Sequence, residues 1–108
     1  ASTHLSLTAE DRMASLAVID SVAMAATKPI FIAGDWNATP KSEFGRALGE
    51  KMQYLTDTEV CTFPADNPNT VIDYIVTPRK QAVKILRREV INEPMASDHR
   101  PIIAVLRF

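Results

Sequence analysis

Apolar and polar positions alternate along the chain with two different periods. Leu16, Ile19, Ala23 and Ala26 recur at helical spacing and predict a helix from about Ala9 to Ala26, with Thr8 as N-cap and Asp11 three positions on in a capping-box arrangement. Pro29 cannot continue it. Ile30-Phe31-Ile32-Ala33 is apolar at every position, as expected of a strand covered on both faces, and Gly34 is expected to end it. A polar loop follows, and Ser42 caps a shorter predicted helix carrying Phe44, Ala47 and Leu48.

The second half of the chain reads mainly as strands. A weak strand signal surrounds Tyr54-Leu55, and Pro64, Asn67, Pro68 and Asn69 mark Thr62–Thr70 as loop. Val71–Val76 predicts a strand with one carboxylate, Asp73, in its middle. Residues 83–91 alternate as in an edge strand, and Ile102–Leu106 forms a last strand. Thr3-His4-Leu5 resembles the end of a further strand. The order β-α-β-α-(β)-β-β-β predicts an α/β or α+β sheet domain.

With 108 residues, 46% hydrophobic and 23% charged, the chain has the composition of one globular domain with a modest core. No apolar run approaches the ~20 residues of a membrane-spanning helix. No signal peptide is visible, and the missing initiator methionine suggests a processed or truncated chain, such as the mature part of a secreted or periplasmic parent. Twelve Lys and Arg against thirteen Asp and Glu give a formal charge of −1, without the basic excess usual in proteins that bind nucleic acid through phosphates. Cys61 is the single cysteine, which excludes an intrachain disulfide, and it is expected to be a small, partly buried apolar residue. Met13, Met24, Met52 and Met95 have no site-like spacing and are expected to fill core gaps. Lys80, Lys84, Arg87 and Arg88 read as a solvated edge.

Four polar clusters interrupt or end apolar strands: Thr3-His4-Leu5, Gly34-Asp35-Trp36-Asn37, Ile72-Asp73-Tyr74 and Ser97-Asp98-His99. Strand ends are where a rigid sheet positions side chains on short loops. Asp35 and Asn37 would share a side if the strand continues through them, suiting a carboxylate that holds a cation or water and an amide that donates to a phosphoryl oxygen. The competing reading is an Asx-turn closed on its own backbone. Asp73 in an apolar strand needs a partner unless it points to water, and an imidazole is the obvious one. Asp98 and His99, being adjacent in extended backbone, should have different partners. Each could also belong to an ordinary solvated loop, and His4 alone could be structural.

Taken in order, these strings resemble the second half of the endonuclease/exonuclease/phosphatase superfamily, the deoxyribonuclease I-like fold, with Ser97-Asp98-His99-Arg100-Pro101-Ile102 as its closing motif and Thr62-Phe63-Pro64 ahead of the Asp73 strand. Trp36 stands where Phe or Leu is more usual, a swap that requires the ring to pack inside. The resemblance implies an α/β chain forming half of a four-layer α/β/β/α sandwich. It also implies metal-dependent phosphohydrolase chemistry, phosphodiester hydrolysis by in-line water attack foremost, with Mg2+ or Mn2+ as cofactor. His4 would hydrogen-bond the scissile phosphate, Asp35 would bind metal or orient water, and Asn37 would contact a phosphoryl oxygen. Asp73 would orient His99, acting as base or transition-state stabiliser, and Asp98 would support the metal.

In that superfamily an N-terminal half supplies an Asn, a metal-binding Glu and the first sheet. The resemblance therefore implies that residues 1–108 are the C-terminal portion of one domain, inactive alone, whose apolar sheet face is covered by the missing half or by a second copy. Substrates in the superfamily span nucleic acids, sphingomyelin and inositol phosphates. The alternatives are a non-catalytic binding module that keeps the fold and a DNA-repair-type endonuclease.

Overall fold

A computed structural model describes the backbone of residues 2–4 and 9–108 and the side chains of residues 11–108. The elements run β1 (Ser2–His4), α1 (Ala9–Ala25), β2 (Ile32–Asp35), α2 (Glu43–Lys51), β3 (Met52–Tyr54), β4 (Asp73–Pro78), β5 (Lys84–Val90) and β6 (Ile102–Arg107). This is the element order that the periodicities predict. The expected Thr8 cap and Leu5 lie outside the described residues.

Strands β1 to β4 form one sheet in the order β1-β2-β4-β3, and β5 and β6 form an antiparallel pair. β2 lies parallel to β1 and antiparallel to β4, as expected for an apolar strand inside a sheet. The register pairs Ile32 with Val76, Ala33 with Ile75, Gly34 with Tyr74 and Asp35 with Asp73. Residues paired across strands share a face. One face of the sheet thus carries Ile32, Tyr74 and Val76, and the other carries Ala33, Ile75 and the two acids.

The helices cover the first face. Leu16 and Ala23 of α1, Phe44 and Leu48 of α2, Met52, Trp36, Tyr74 and Val76 form the buried core, with Cys61 packed against it. Trp36 is fully buried, so the bulkier ring is accommodated inside as required. It stacks on Tyr74 with 5.2 Å between ring centroids and donates its Nε1–H to the Tyr74 carbonyl at 2.9 Å. Burial pushes the Tyr54 hydroxyl up to about 12 and raises that of Tyr74 further, so both stay protonated donors, to Gly45 O at 2.7 Å and Ala38 O at 2.9 Å. These bonds tie α2 and the loop after β2 to the sheet.

Local chemistry fixes the helix ends. The Ser42 side chain accepts from the Gly45 N–H at 3.0 Å, the predicted N-cap, and Lys51 lies in the last turn of α2. The Lys80 ammonium reaches the Met24 and Ala26 carbonyls at the end of α1, at 3.3 and 3.4 Å. Lys80, Lys84, Arg87 and Arg88 are all exposed, as their pattern predicts.

Three expectations are corrected. β2 does not end at Gly34 but runs through it to Asp35, because Gly34 adopts φ 150°, a conformation that residues with a side chain rarely take. β4 begins at Asp73 instead of enclosing it, since Thr70, Val71 and Ile72 belong to the approach from the loop. Of the methionines, Met52 alone is buried, while Met13, Met24 and Met95 are exposed. A register irregularity between Ile85 and Arg87 also disturbs the strict alternation read for β5.

Gly45 sits in the first turn of α2, pressed against the preceding loop. A Cβ there would lie 2.1 Å from Thr39 O and 2.5 Å from Pro40 O. Alanine ordinarily gains roughly 0.5–1 kcal/mol over glycine within a helix. The overlap is with backbone and has no flexible side chain to yield, so Gly45→Ala is expected to destabilise by about 1–3 kcal/mol net. Urea unfolding checks this, and a stabilised variant would contradict it.

Candidate active site

The site is built at one end of the β2–β4 pair. Asp35 is the last residue of β2, Asp73 is the first of β4, and the register sets them opposite each other. Both side chains are largely covered, with relative exposures of 14% and 13%. Two carboxylates this close in partly desolvated surroundings repel unless donors lie between them.

His99 supplies that donor. Its Nδ1 lies 2.8 Å from Asp73 Oδ2 and its Nε2 lies 3.5 Å from Asp35 Oδ2. The ring bridges the two acids. An ionised carboxylate only accepts, so the short contact places the Nδ1 proton on the imidazole, pointing at Asp73. Burial pulls the His99 pKa down, but the hydrogen bond and charge of Asp73, joined by Asp35 and Asp98, outweigh it and hold the ring above its usual 6.5. The expectation that Asp73 requires an imidazole partner is met by this contact.

Asp35 has a second partner as well. Asp35 Oδ1 accepts the Asn37 backbone N–H at 2.9 Å, the Asx-turn weighed from sequence, while Oδ2 faces His99. The two oxygens serve different ends, so turn and site coexist. Asn37 has φ 50° and does not continue β2, so the shared-side geometry expected for Asp35 and Asn37 does not arise from an extended strand. Asp98 and His99 lie in a bend and not in extended backbone, so their side chains do not point apart as expected. The Asp98 carbonyl accepts the Ala65 N–H at 2.7 Å, and its carboxylate is exposed, 3.9 Å from His99 Nε2.

His4 closes β1, in register with Asp35, which brings its backbone beside the acid pair; its side chain lies outside the described ones. The structure thus assembles Asp35, Asp73 and His99 directly, with Asp98 and the Asn37 backbone at the margin. The sequence reading assigned no site role to Thr62 or Phe63. The Thr62 hydroxyl donates to Asp73 Oδ2 at 2.8 Å, and the Phe63 ring packs on the His99 imidazole with centroids 4.7 Å apart. The string Thr62-Phe63-Pro64 was a visible signal, but nothing in its composition distinguishes a supporting hydroxyl from a loop residue. A cleft of about 330 Å³ opens beside the acids, lined by Ala33, Ile75, Arg100 and Ile102.

The donor set could hold a metal ion. Asp35, Asp73 and His99 each offer one ligand atom, all within 4.8 Å of one another, and the Asp98 carboxylate adds a further oxygen nearby.

The electrostatics predict a pH signature. A group whose folded pKa is raised contributes stability that is fully present below its unfolded value, about 6.5, and lost as pH rises through the folded value. Asp73→Asn removes the main cause of that rise. Without divalent cations, the stability gap between the unaltered chain and Asp73→Asn is therefore expected to be widest below about pH 6.5 and to shrink above it. Thermal melts across this window test it, and a gap independent of pH would contradict it.

Comparisons with known proteins give the family and the fold. The family model for the Endonuclease/Exonuclease/phosphatase family matches residues 2–99. A functionally unknown conserved protein from Enterococcus faecalis V583 superposes with a TM-score of 0.78 at 22% identity, over 98% of this chain and 48% of that one. A mannosyl-6-phosphatase from Bacteroides thetaiotaomicron VPI-5482 gives 0.80 at 17%, over 99% and 50%. The human Nocturnin catalytic domain with bound sulfate anion gives 0.72 at 17%, over 99% and 46%. At these identities the likeness shows the shared fold, and the chain spans about half the length of each. No curated protein matches by sequence. The family match, across nearly the whole chain and all four polar clusters, makes this a member of the endonuclease/exonuclease/phosphatase family.

Proposed function

We propose that residues 1–108 form the C-terminal portion of a phosphohydrolase domain that cleaves phosphate esters, phosphodiesters foremost, with Mg2+ or Mn2+. The observation that carries this reading is the line of contacts from Asp73 through the His99 ring to Asp35, made at two paired strand ends. A mannosyl-6-phosphatase among the structural neighbours keeps sugar-phosphate monoesters among the candidate substrates.

Each residue has a role that follows from its surroundings. Asp73 fixes the ring and stabilises its protonated form. His99, its pKa raised, keeps a larger share of its charge near neutrality and so suits stabilisation of a phosphoryl oxygen through Nε2–H. Asp35, with Oδ1 anchored to the Asn37 N–H and Oδ2 facing His99 Nε2 at 3.5 Å, is assigned to orient a water for in-line attack. His4 and the Asn37 amide are assigned to phosphoryl oxygens, supported by the register of His4 with Asp35. A bound Mg2+ or Mn2+, held by Asp35 and Asp98, would neutralise charge on the phosphate.

The partner follows from the β5–β6 pair. Leu86, Ile103 and Val105 are exposed on the β5–β6 pair, and Ile102, Ala104 and Leu106 on its second face are half-buried. These apolar side chains share their faces with Arg87, Arg88 and Glu89, and a two-stranded ribbon exposing this much apolar surface is marginal in water unless covered. We assign the cover to the other half of the domain or, in its absence, to a second copy.

Two measurements test these statements. In the full-length protein, a panel of DNA, RNA, sphingomyelin, inositol phosphates and sugar phosphates with and without Mg2+ should reveal a hydrolysed substrate. His99→Ala and Asp35→Ala should each lower kcat on it by on the order of a thousandfold. Near-normal turnover in either variant would refute the roles. The isolated 108-residue chain is expected to self-associate and to hydrolyse weakly or not at all. A clean monomer by light scattering at high concentration, or robust Mg2+-dependent hydrolysis from that material, would refute the second statement.

A further inference from the structure

We infer that Thr62 is a positioning residue for this site: its hydroxyl sets the Asp73 carboxylate, and through it the tautomer of His99. The inference rests on the reading of His99 as the group that acts on the phosphate.

Thr62 is completely buried, and all its polar groups are engaged at the site. Its Oγ1 donates to Asp73 Oδ2 at 2.8 Å and accepts from the Ile72 N–H at 3.3 Å. Its own N–H donates to Thr70 O at 2.8 Å, and its carbonyl accepts the Arg100 N–H at 2.7 Å. One residue therefore binds the approach to β4, the acid at its start and the segment that carries His99. The backbone bonds make the hydroxyl's position rigid, and the hydroxyl has one acceptor to serve.

That acceptor matters because Asp73 Oδ2 is the same oxygen that receives His99 Nδ1, also at 2.8 Å. A carboxylate with one donor on that oxygen can turn about its own bond and offer either oxygen, or face solvent. A second donor from a buried, fixed hydroxyl removes that freedom. With Oδ2 held, Nδ1–H keeps its acceptor in either protonation state, so Nε2 faces Asp35 and the cleft as the N–H of the charged ring, and in the neutral ring the proton stays on Nδ1. The Phe63 ring, next in sequence, limits tilting of the imidazole from its face. The neighbouring loop contacts, Ala65 N–H to Asp98 O and Arg100 Nε to Ala65 O, repeat the tie one step further out.

The test uses the full-length protein and three variants, Thr62→Val, Thr62→Ala and Thr62→Ser. The 15N shifts of the His99 ring, read with the imidazole neutral at about pH 9, report the tautomer. We expect the Nδ1–H form in the unaltered protein and in Thr62→Ser, and a marked gain of the Nε2–H form in the valine and alanine variants. Turnover should follow, with kcat lowered roughly ten- to a hundredfold in those two variants, KM within about twofold, and recovery in Thr62→Ser. The inference is overturned by an unchanged tautomer in a folded valine or alanine variant, or by a serine variant that loses as much as valine. Unfolding of both hydroxyl-deleted variants would also overturn it, by making Thr62 a structural residue alone. The ring spectrum needs no turnover, so a full-length protein that hydrolyses nothing would sink the hydrolase reading and still leave this one decided.

Discussion

A carboxylate at the mouth of a half-covered strand cannot be left without donors, and the arrangement around Asp73 answers that requirement. Its Oδ2 collects a hydroxyl from one loop and an imidazole from another. Satisfying the acid thus gathers three segments distant in sequence: 62–63, the start of β4, and 97–100. The same contacts that relieve a buried charge also aim a ring nitrogen at the opposite acid. Stability and chemistry here share their hydrogen bonds, so the site cannot loosen without the loops losing their anchor.

The two faces of the main sheet divide the labour. The helix-covered face holds the aromatic cluster, and Trp36, through Tyr74, fixes the loop that leaves β2 directly after Asp35. The opposite face carries small and apolar residues that end in the acid pair. A one-residue slip of β4 against β2 would turn β4 over, sending Asp73 toward the aromatic core and Tyr74 and Val76 out of it. The burial of Ile32, Tyr74 and Val76 makes that slip costly, which is how ordinary core packing secures the placing of the acid pair.

Much of this was legible in the sequence, for local reasons. The α1 period, the Ser42 cap, the Pro- and Asn-rich loop and the strand order are written in short-range pattern. So were the clusters that supply Asp35, Asp73 and His99, because a charge at the end of an apolar run demands explanation. What pattern could not give is pairing. That Asp35 faces Asp73 depends on register between strands far apart in the chain. That Gly34 lets β2 run on to Asp35 depends on a backbone angle. Thr62 was hidden because its partners are set by tertiary contacts, and a threonine among prolines and asparagines looks like any loop residue. The exposed methionines were misjudged because composition cannot tell a filled core from an outer helix face.

The register between β2 and β4 also uncouples two lengths. The separation of the acids is set by backbone pairing at a strand end, whereas the peptide joining them travels through α2, β3 and a long irregular excursion before returning. Insertions or deletions in the outer part of that excursion, beyond the short stretch that braces Asp73, leave the two carboxylates at the same spacing. A scaffold of this kind can reshape the rim that meets each new molecule while its reacting centre stays fixed.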